Sequence, residues 1–180
     1  ARKGGSGKTT LSRALISAAV AAGRRVMLID TDSTGVLSSW HARAEGAGYG
    51  SPRLNSSVAE SVADVDRMIE RVYADGLADF IFIDTAGVGA EWSDEIAVLA
   101  DHIVTPVMLS TSDFDVGGQT VDWFRQLAAR VDDAAALPRH HVVLNMVDPK
   151  ITRADAALIE NAIGMFPLIE TVMLRRNAYK

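Results

Sequence analysis

The feature that most restricts this chain stands at its start: Lys3-Gly-Gly-Ser-Gly-Lys-Thr-Thr10, a glycine-rich turn that runs straight into a helical pattern. Without a Cβ in the way, backbone N–H groups of such a turn can converge on anionic oxygens, and the helix that follows adds partial positive charge at its N-terminus. The Lys8 ammonium is long enough to reach β- and γ-phosphates as a point charge, and the Thr9 hydroxyl suits magnesium. Gly4, Gly5, Ser6, Gly7, Lys8, Thr9 and Thr10 therefore form a candidate triphosphate cradle, with Lys8 also a catalytic candidate and Thr9 a metal ligand.

A cradle of this kind sits at the carboxyl ends of parallel strands, so the remaining chain is read for strands and their ends. Leu11, Ala14, Leu15, Ala18 and Ala22 share one helical face, and Gly23 is a good stop. Arg25 to Asp30 reads as a buried strand, a short helix follows over 36–45, and Pro52 to Asn55 is a candidate brief strand. Ser57 with Glu60 reads as a capping box, and Val58, Val62, Val65, Ile69 and Val72 line the helix after it. Asp79 to Asp84, Ile103 to Leu109 and His141 to Asn145 are further apolar strands. Helices are expected at about 91–100, 117–136 and 152–163, and a last strand at about 168–174. Strands apolar on both faces and separated by helices predict an α/β, doubly wound, mostly parallel sheet with helices on both faces. At 180 residues the chain is expected to be a single nucleotide-binding domain.

Composition narrows the chemistry. No cysteine is present, which removes disulfides, thiolate nucleophiles and sulfur-based zinc sites and allows a reducing compartment. His140 and His141 are adjacent, so on a strand they face opposite ways and cannot share a metal. A net charge of −5 lacks the global signature of a dedicated nucleic-acid binder but leaves room for a local basic patch. The most apolar stretch, Leu11 to Ala22, carries Arg13 and is shorter than the roughly 20 residues a spanning helix needs. No secretory signal is expected ahead of it.

One departure from the common phosphate loop is informative: Arg2 stands where a glycine is usual, and Lys3 precedes the paired glycines. This is the deviant Walker A form, and the chain resembles the ParA/MinD family of dimerising ATPases over nearly its whole length. The resemblance implies that Lys3 reaches across a dimer interface to the phosphates of the partner's nucleotide. Asp30-Thr-Asp32 resembles the family's Asp-x-Asp segment, which implies that Asp32 lies near magnesium and orients the attacking water. Ser33-Thr34-Gly35 replaces the usual Pro-Gln-Gly. Asp84-Thr-Ala-Gly87 looks like a Walker B acid with switch II, Asp84 supporting the metal and the Gly87 amide sensing the γ-phosphate. Asn145-Met-Val-Asp148 implies an asparagine that contacts adenine; related GTPases carry Asn-Lys-x-Asp, and Met146 here replaces the lysine, so ATP is expected over GTP. Thr171 to Arg175 resembles the strand and loop that pack the base, which makes Arg175 a nucleotide-binding candidate. Asp113 and Asp115 are either partners for Lys3 of a second copy or ordinary helix-starting acids.

The resemblance implies a cytoplasmic bacterial ATPase, nucleoid-associated where DNA is bound. It uses ATP and Mg2+ to close a homodimer, binds DNA non-specifically, answers to an activating partner of ParB type, and moves DNA or a protein cluster. Arg139, Lys150, Arg153, Arg175, Arg176 and Lys180 are the candidate DNA contacts. A GTP-binding targeting or maturation factor, a small-molecule ligase or kinase, and a MinD-like membrane ATPase are the alternatives, although no amphipathic anchor is visible. The family's central strand precedes the phosphate loop, where only Ala1 and Arg2 stand here, so a trimmed chain is expected.

Overall fold

The structure, a computed structural model, describes residues 5–85, 93–131, 133 and 137–176. Along the chain these form α1 (Lys8–Ala21), β1 (Val26–Asp30), α2 (Val36–Gly46), β2 (Leu54–Val58), α3 (Val62–Asp75) and β3 (Phe80–Asp84). They continue with α4 (Ser93–Val98), β4 (His102–Val107), α5 (Thr111–Ala128), β5 (Arg139–Val147), α6 (Arg153–Met165) and β6 (Leu168–Leu174). Among the described residues every strand pairing is parallel, in two three-stranded sheets of order β2-β1-β3 and β4-β5-β6. Strands and helices alternate as expected, giving an α/β fold of parallel strands.

The chain divides into two compact units, one of residues Ser12–Ala86 and one of Ala1–Leu11 with Gly87–Lys180. In the Ser12–Ala86 unit β1 is the middle strand. Val26, Leu28 and Ile29 are buried, as a strand flanked on both edges and covered by helices requires. Ile16 of α1, Leu37 of α2 and Leu54 of β2 complete that core. Each such side chain contributes about 1.5–3 kcal/mol by leaving water. In the other unit Val107, Phe114, Val121, Val142, Leu144, Ala162 and Phe166 form the core. Phe114 and Phe166 meet edge to face at 5.4 Å between ring centroids.

Several boundaries depart from expectation, and at two of them a competing contact wins. Ser57 lies in β2, opposite Ile29 of β1, so ladder pairing overrides its capping propensity. Ser61 caps α3 instead, accepting from the Asp64 N–H at 3.1 Å while the Asp64 carboxylate accepts from Glu60 N–H at 3.2 Å. Likewise α5 begins at Thr111, six residues before the expected start at 117. Ser110 accepts from the Asp113 N–H at 3.1 Å and starts the helix, and Gly117 sits inside it. A Cβ at Gly117 would lie 3.0 Å from Val107 Cγ2 and 3.1 Å from Phe166 Cζ, so glycine there lets the helix lie close on its core. The same helix ends at Ala128, short of the anticipated 136.

Candidate nucleotide site

The phosphate loop enters α1 through two left-handed glycines, Gly5 at φ 94° and Gly7 at φ 84°. The Leu11 N–H donates to the Gly7 carbonyl at 2.9 Å, so the helical ladder starts directly from the loop. No acid occupies the first turn of α1, and its positive end is not offset by its own side chains. Lys8, Thr9 and Thr10 are the first three helical residues, each half-buried. Ser6 is buried, and its hydroxyl has no hydrogen-bond partner among the described residues. A buried hydroxyl without a partner is costly, and one inside a glycine turn at a bare helix N-terminus is what an anionic ligand would satisfy. Lys3, Gly4 and Gly87 lie outside the described residues.

Asn145, at the carboxyl end of β5, is fully buried and braces this loop. Its Nδ2 donates to the Ser6 carbonyl at 2.9 Å, and its Oδ1 accepts from the Met146 N–H at 2.9 Å. A Cβ on Gly7 would stand 2.3 Å from Asn145 Nδ2 and 3.1 Å from Met146 Cε, so residue 7 must be glycine for space as well as for φ. Met146 itself takes φ 53°, the single left-handed non-glycine among the described residues. That conformation costs a side chain about 1–2 kcal/mol, and here it follows directly on the loop brace. Beyond it, Arg175 N–H donates to the Val147 carbonyl at 2.8 Å, and Arg175 Nε lies 3.6 Å from Asp148 Oδ1.

In the Ser12–Ala86 unit, Asp30 and Asp84 end β1 and β3 as register partners. Both are buried. Asp30 accepts from Ser38 N–H at 2.9 Å, Ser38 Oγ at 2.8 Å and Asp32 N–H at 3.1 Å, so its carboxylate is engaged in holding the β1–α2 turn. Asp84 accepts from Ser12 Oγ at 3.2 Å, and its carbonyl takes both the N–H and the hydroxyl of Thr31, at 3.0 and 2.9 Å. Asp32 accepts from Thr34 N–H at 2.9 Å and Thr34 Oγ1 at 2.7 Å, a side-chain turn. Sequence reasoning singles out neither Ser12 nor Ser38. A buried acid closing an apolar strand is the signal that could find Ser38, because such a group demands donors.

Other candidates fall elsewhere. Asp113 is buried and engaged with Ser110, the helix-starting alternative, while Asp115 is exposed on the same helix. Arg139 opens β5 whereas Lys150, Arg153, Arg175 and Arg176 follow the far ends of β5 and β6. Eight strand steps separate the two ends of β5, about 26 Å, so Arg139 does not join the others in one patch. Lys180 lies outside the described residues. His140 bonds Thr105 Oγ1 at 3.0 Å, and His141 bonds His102 at 3.1 Å, each on its own side of the strand. No group of three or more metal-ligating side chains occurs among the described residues, and no described helix is long and apolar enough to cross a membrane. Magnesium needs no such cage, being held by one or two carboxylates together with phosphate and water.

A family model described as "VirC1 protein" matches residues 1–180. The chain is 25% identical over 177 residues to protein virC1 of Rhizobium radiobacter, covering 98% of this chain and 75% of that one. It is 27% identical over 184 residues to protein ParA of Rhizobium radiobacter, covering 98% and 77%. Among solved structures it resembles cobyrinic acid a,c-diamide synthase from Mycobacterium smegmatis with bound ATP analogue and magnesium. The TM-score is 0.73 at 15% identity, covering 99% of this chain and 86% of that one.

Proposed function

Because the chain belongs to the VirC1 protein family, within the ParA/MinD-type P-loop ATPases, we propose that it binds ATP with magnesium, dimerises on binding, and hydrolyses ATP to release the dimer. The work done is segregation or positioning of DNA or a protein cargo. The observation that carries this reading is the glycine turn at an acid-free helix start, with the unpartnered Ser6 hydroxyl inside it.

In this reading residues 1–180 act as one nucleotide-binding domain. Gly4, Gly5, Ser6 and Gly7 offer main-chain N–H groups to phosphate, and Thr10 extends the helix start. Lys8 neutralises charge as it builds on the transferred phosphoryl group, where catalysis is mostly electrostatic. Thr9, Asp32 and Asp84 are the residues that would hold magnesium. When bound, the ion would screen phosphate oxygens and stabilise the leaving group. Asp32 orients the attacking water; its turn with Thr34 fixes the carboxylate for that task. Gly87 senses the γ-phosphate, Asn145 and Arg175 border the base, and Lys3 acts on the nucleotide of the second copy. The presence of an ATP analogue and magnesium in a protein of the same fold supports this choice of ligands. An activating partner of ParB type and non-specific DNA complete the proposal, with DNA contacts drawn from Lys150, Arg153, Arg175 and Arg176. The guanine-nucleotide alternative is not favoured.

Sedimentation velocity of the wild type, Lys3→Ala and Asp32→Ala, each with and without ATP and magnesium, tests it. The expected result is a reversible dimer for the wild type, a trapped dimer for Asp32→Ala and a monomer for Lys3→Ala. Identical monomeric behaviour of all three would overturn the dimer switch.

A further inference from the structure

The amino ends of β4 and β5 bring two imidazoles together. His102 stands opposite Arg139 and His141 opposite Val104 in the parallel ladder, so the two histidines are diagonal neighbours on one face. His102 Nδ1 lies 3.1 Å from His141 Nε2, and the ring centroids are 5.2 Å apart. His102 and Arg139 are exposed and Val104 is 40% exposed, so this end of the face is open to water. His140 takes no part, bonding Thr105 Oγ1 at 3.0 Å on the other face. Nothing in the nucleotide reading uses the pair, and four strand steps, about 13 Å, separate His141 from Asn145 at the loop brace.

We propose that His102 and His141 together hold a divalent transition ion of the zinc class, which ties β4 to β5. Nitrogens bound about 2.0–2.1 Å from one ion stand about 2.9 Å apart at a right angle and about 3.3 Å apart in a tetrahedron. The observed 3.1 Å falls between these values. Each neutral imidazole has one lone pair. Without the ion, one ring donates its N–H to the other; moving that proton to the donor ring's far nitrogen frees both lone pairs, with no net proton released. The backbone ladder already holds the rings side by side, so little ordering remains to be done on binding. Arg139 repels any cation here, which favours an ion that bonds well to imidazole over a hard one such as magnesium, whose preferred ligands are oxygens. Among the described residues no third ligating side chain completes the set, so water fills the remaining positions and the ion exchanges with solution.

The test is calorimetric titration of Zn2+ alone into the whole chain, free of tags and stripped with chelator, without nucleotide. It compares the wild type, His102→Ala, His141→Ala, the double variant and His140→Gln, with circular dichroism to check each fold. The wild type is expected to take one ion per chain. His102→Ala and His141→Ala should each weaken binding by about tenfold or more, whereas His140→Gln should leave it unchanged. Zn2+ should also raise the urea midpoint of the wild type and not that of the double variant, and an excess of Mg2+ should not compete. Absence of saturable Zn2+ binding by the wild type, equal affinity in the double variant, or displacement by Mg2+ overturns the site. None of these results bears on ATP binding, which is measured separately.

Discussion

Substituting Gly7 by alanine tests the architecture of the phosphate loop from the inside. Two separate costs apply. At φ 84° an L-residue is in the left-handed region, which costs about 1–2 kcal/mol. The added Cβ would also lie 2.3 Å from Asn145 Nδ2, a distance atoms do not tolerate, so the amide must swing away and abandon the Ser6 carbonyl. Leaving that buried amide without its partner costs about 1–3 kcal/mol more, giving about 2–5 kcal/mol in all. Gly5 provides the control: its φ is 94°, yet among the described residues nothing lies within 4 Å of a Cβ there, so Gly5→Ala is expected to carry the backbone cost alone. Urea unfolding followed by circular dichroism, with midpoints compared at constant slope, should rank wild type, Gly5→Ala and Gly7→Ala in falling order. In an Asn145→Ala background most of the extra cost of Gly7→Ala should disappear, since the nearest atom is gone and Met146 Cε, at 3.1 Å, is the free end of a flexible side chain. Equal costs for the two glycines, or a Gly7→Ala protein within about 0.5 kcal/mol of wild type, would refute the brace.

Two further outcomes follow from groups away from the loop. Burial, with the charge of His141 second, pulls the His140 imidazole down to about 4 from its ordinary 6.5. The unfolded chain then takes up the proton first, so stability should be full above about pH 6.5 and fall as pH drops toward 4, by about 1–2 kcal/mol after solvent screening. His140→Gln should flatten that slope in urea melts taken across the same range, and an unchanged slope would count against it. Asp94 at the start of α4 accepts from Trp123 Nε1 at 2.6 Å and Arg130 Nη2 at 2.7 Å, which hold its carboxyl below the usual range. Asp94→Ala should cost about 0.5–1.5 kcal/mol after screening, Asp94 being partly exposed, and shift tryptophan emission, and native-like emission would argue against the contact.

Much of this arrangement is legible in the amino-acid order alone. The loop, the apolar strands and the acids that end them are written in local patterns: glycine spacing, β-branched runs, and Asp at a strand's last position. Those patterns locate Val26–Asp30, Phe80–Asp84 and Leu168–Leu174 nearly to the residue. What they miss depends on partners distant in sequence. Ser57 has a sound capping context, and only pairing with β1 puts it in a strand. Gly117 stands at the expected start of a helix, and only its packing against Phe166, 49 positions on, shows why a glycine belongs inside that helix instead. Asn145 suggests a ligand contact, yet its amide spans 139 positions to reach Ser6, and no local pattern encodes that reach. Arg139 groups with the other cations by charge alone, and the length of β5 separates them.

The strands β1, β2 and β3 finish level. Asp30 pairs with Val58 on one side and Asp84 on the other, so the three stop flush, like planks cut to one line. Deleting a single residue from Phe80–Ile83 would retract Asp84 by one step, about 3.3 Å, and turn its side chain to the other face of the sheet. At the proposed magnesium site that error would exceed a whole metal–oxygen bond of about 2.1 Å. On the proposed magnesium reading, the number of residues in each plank is fixed by what must meet at the edge.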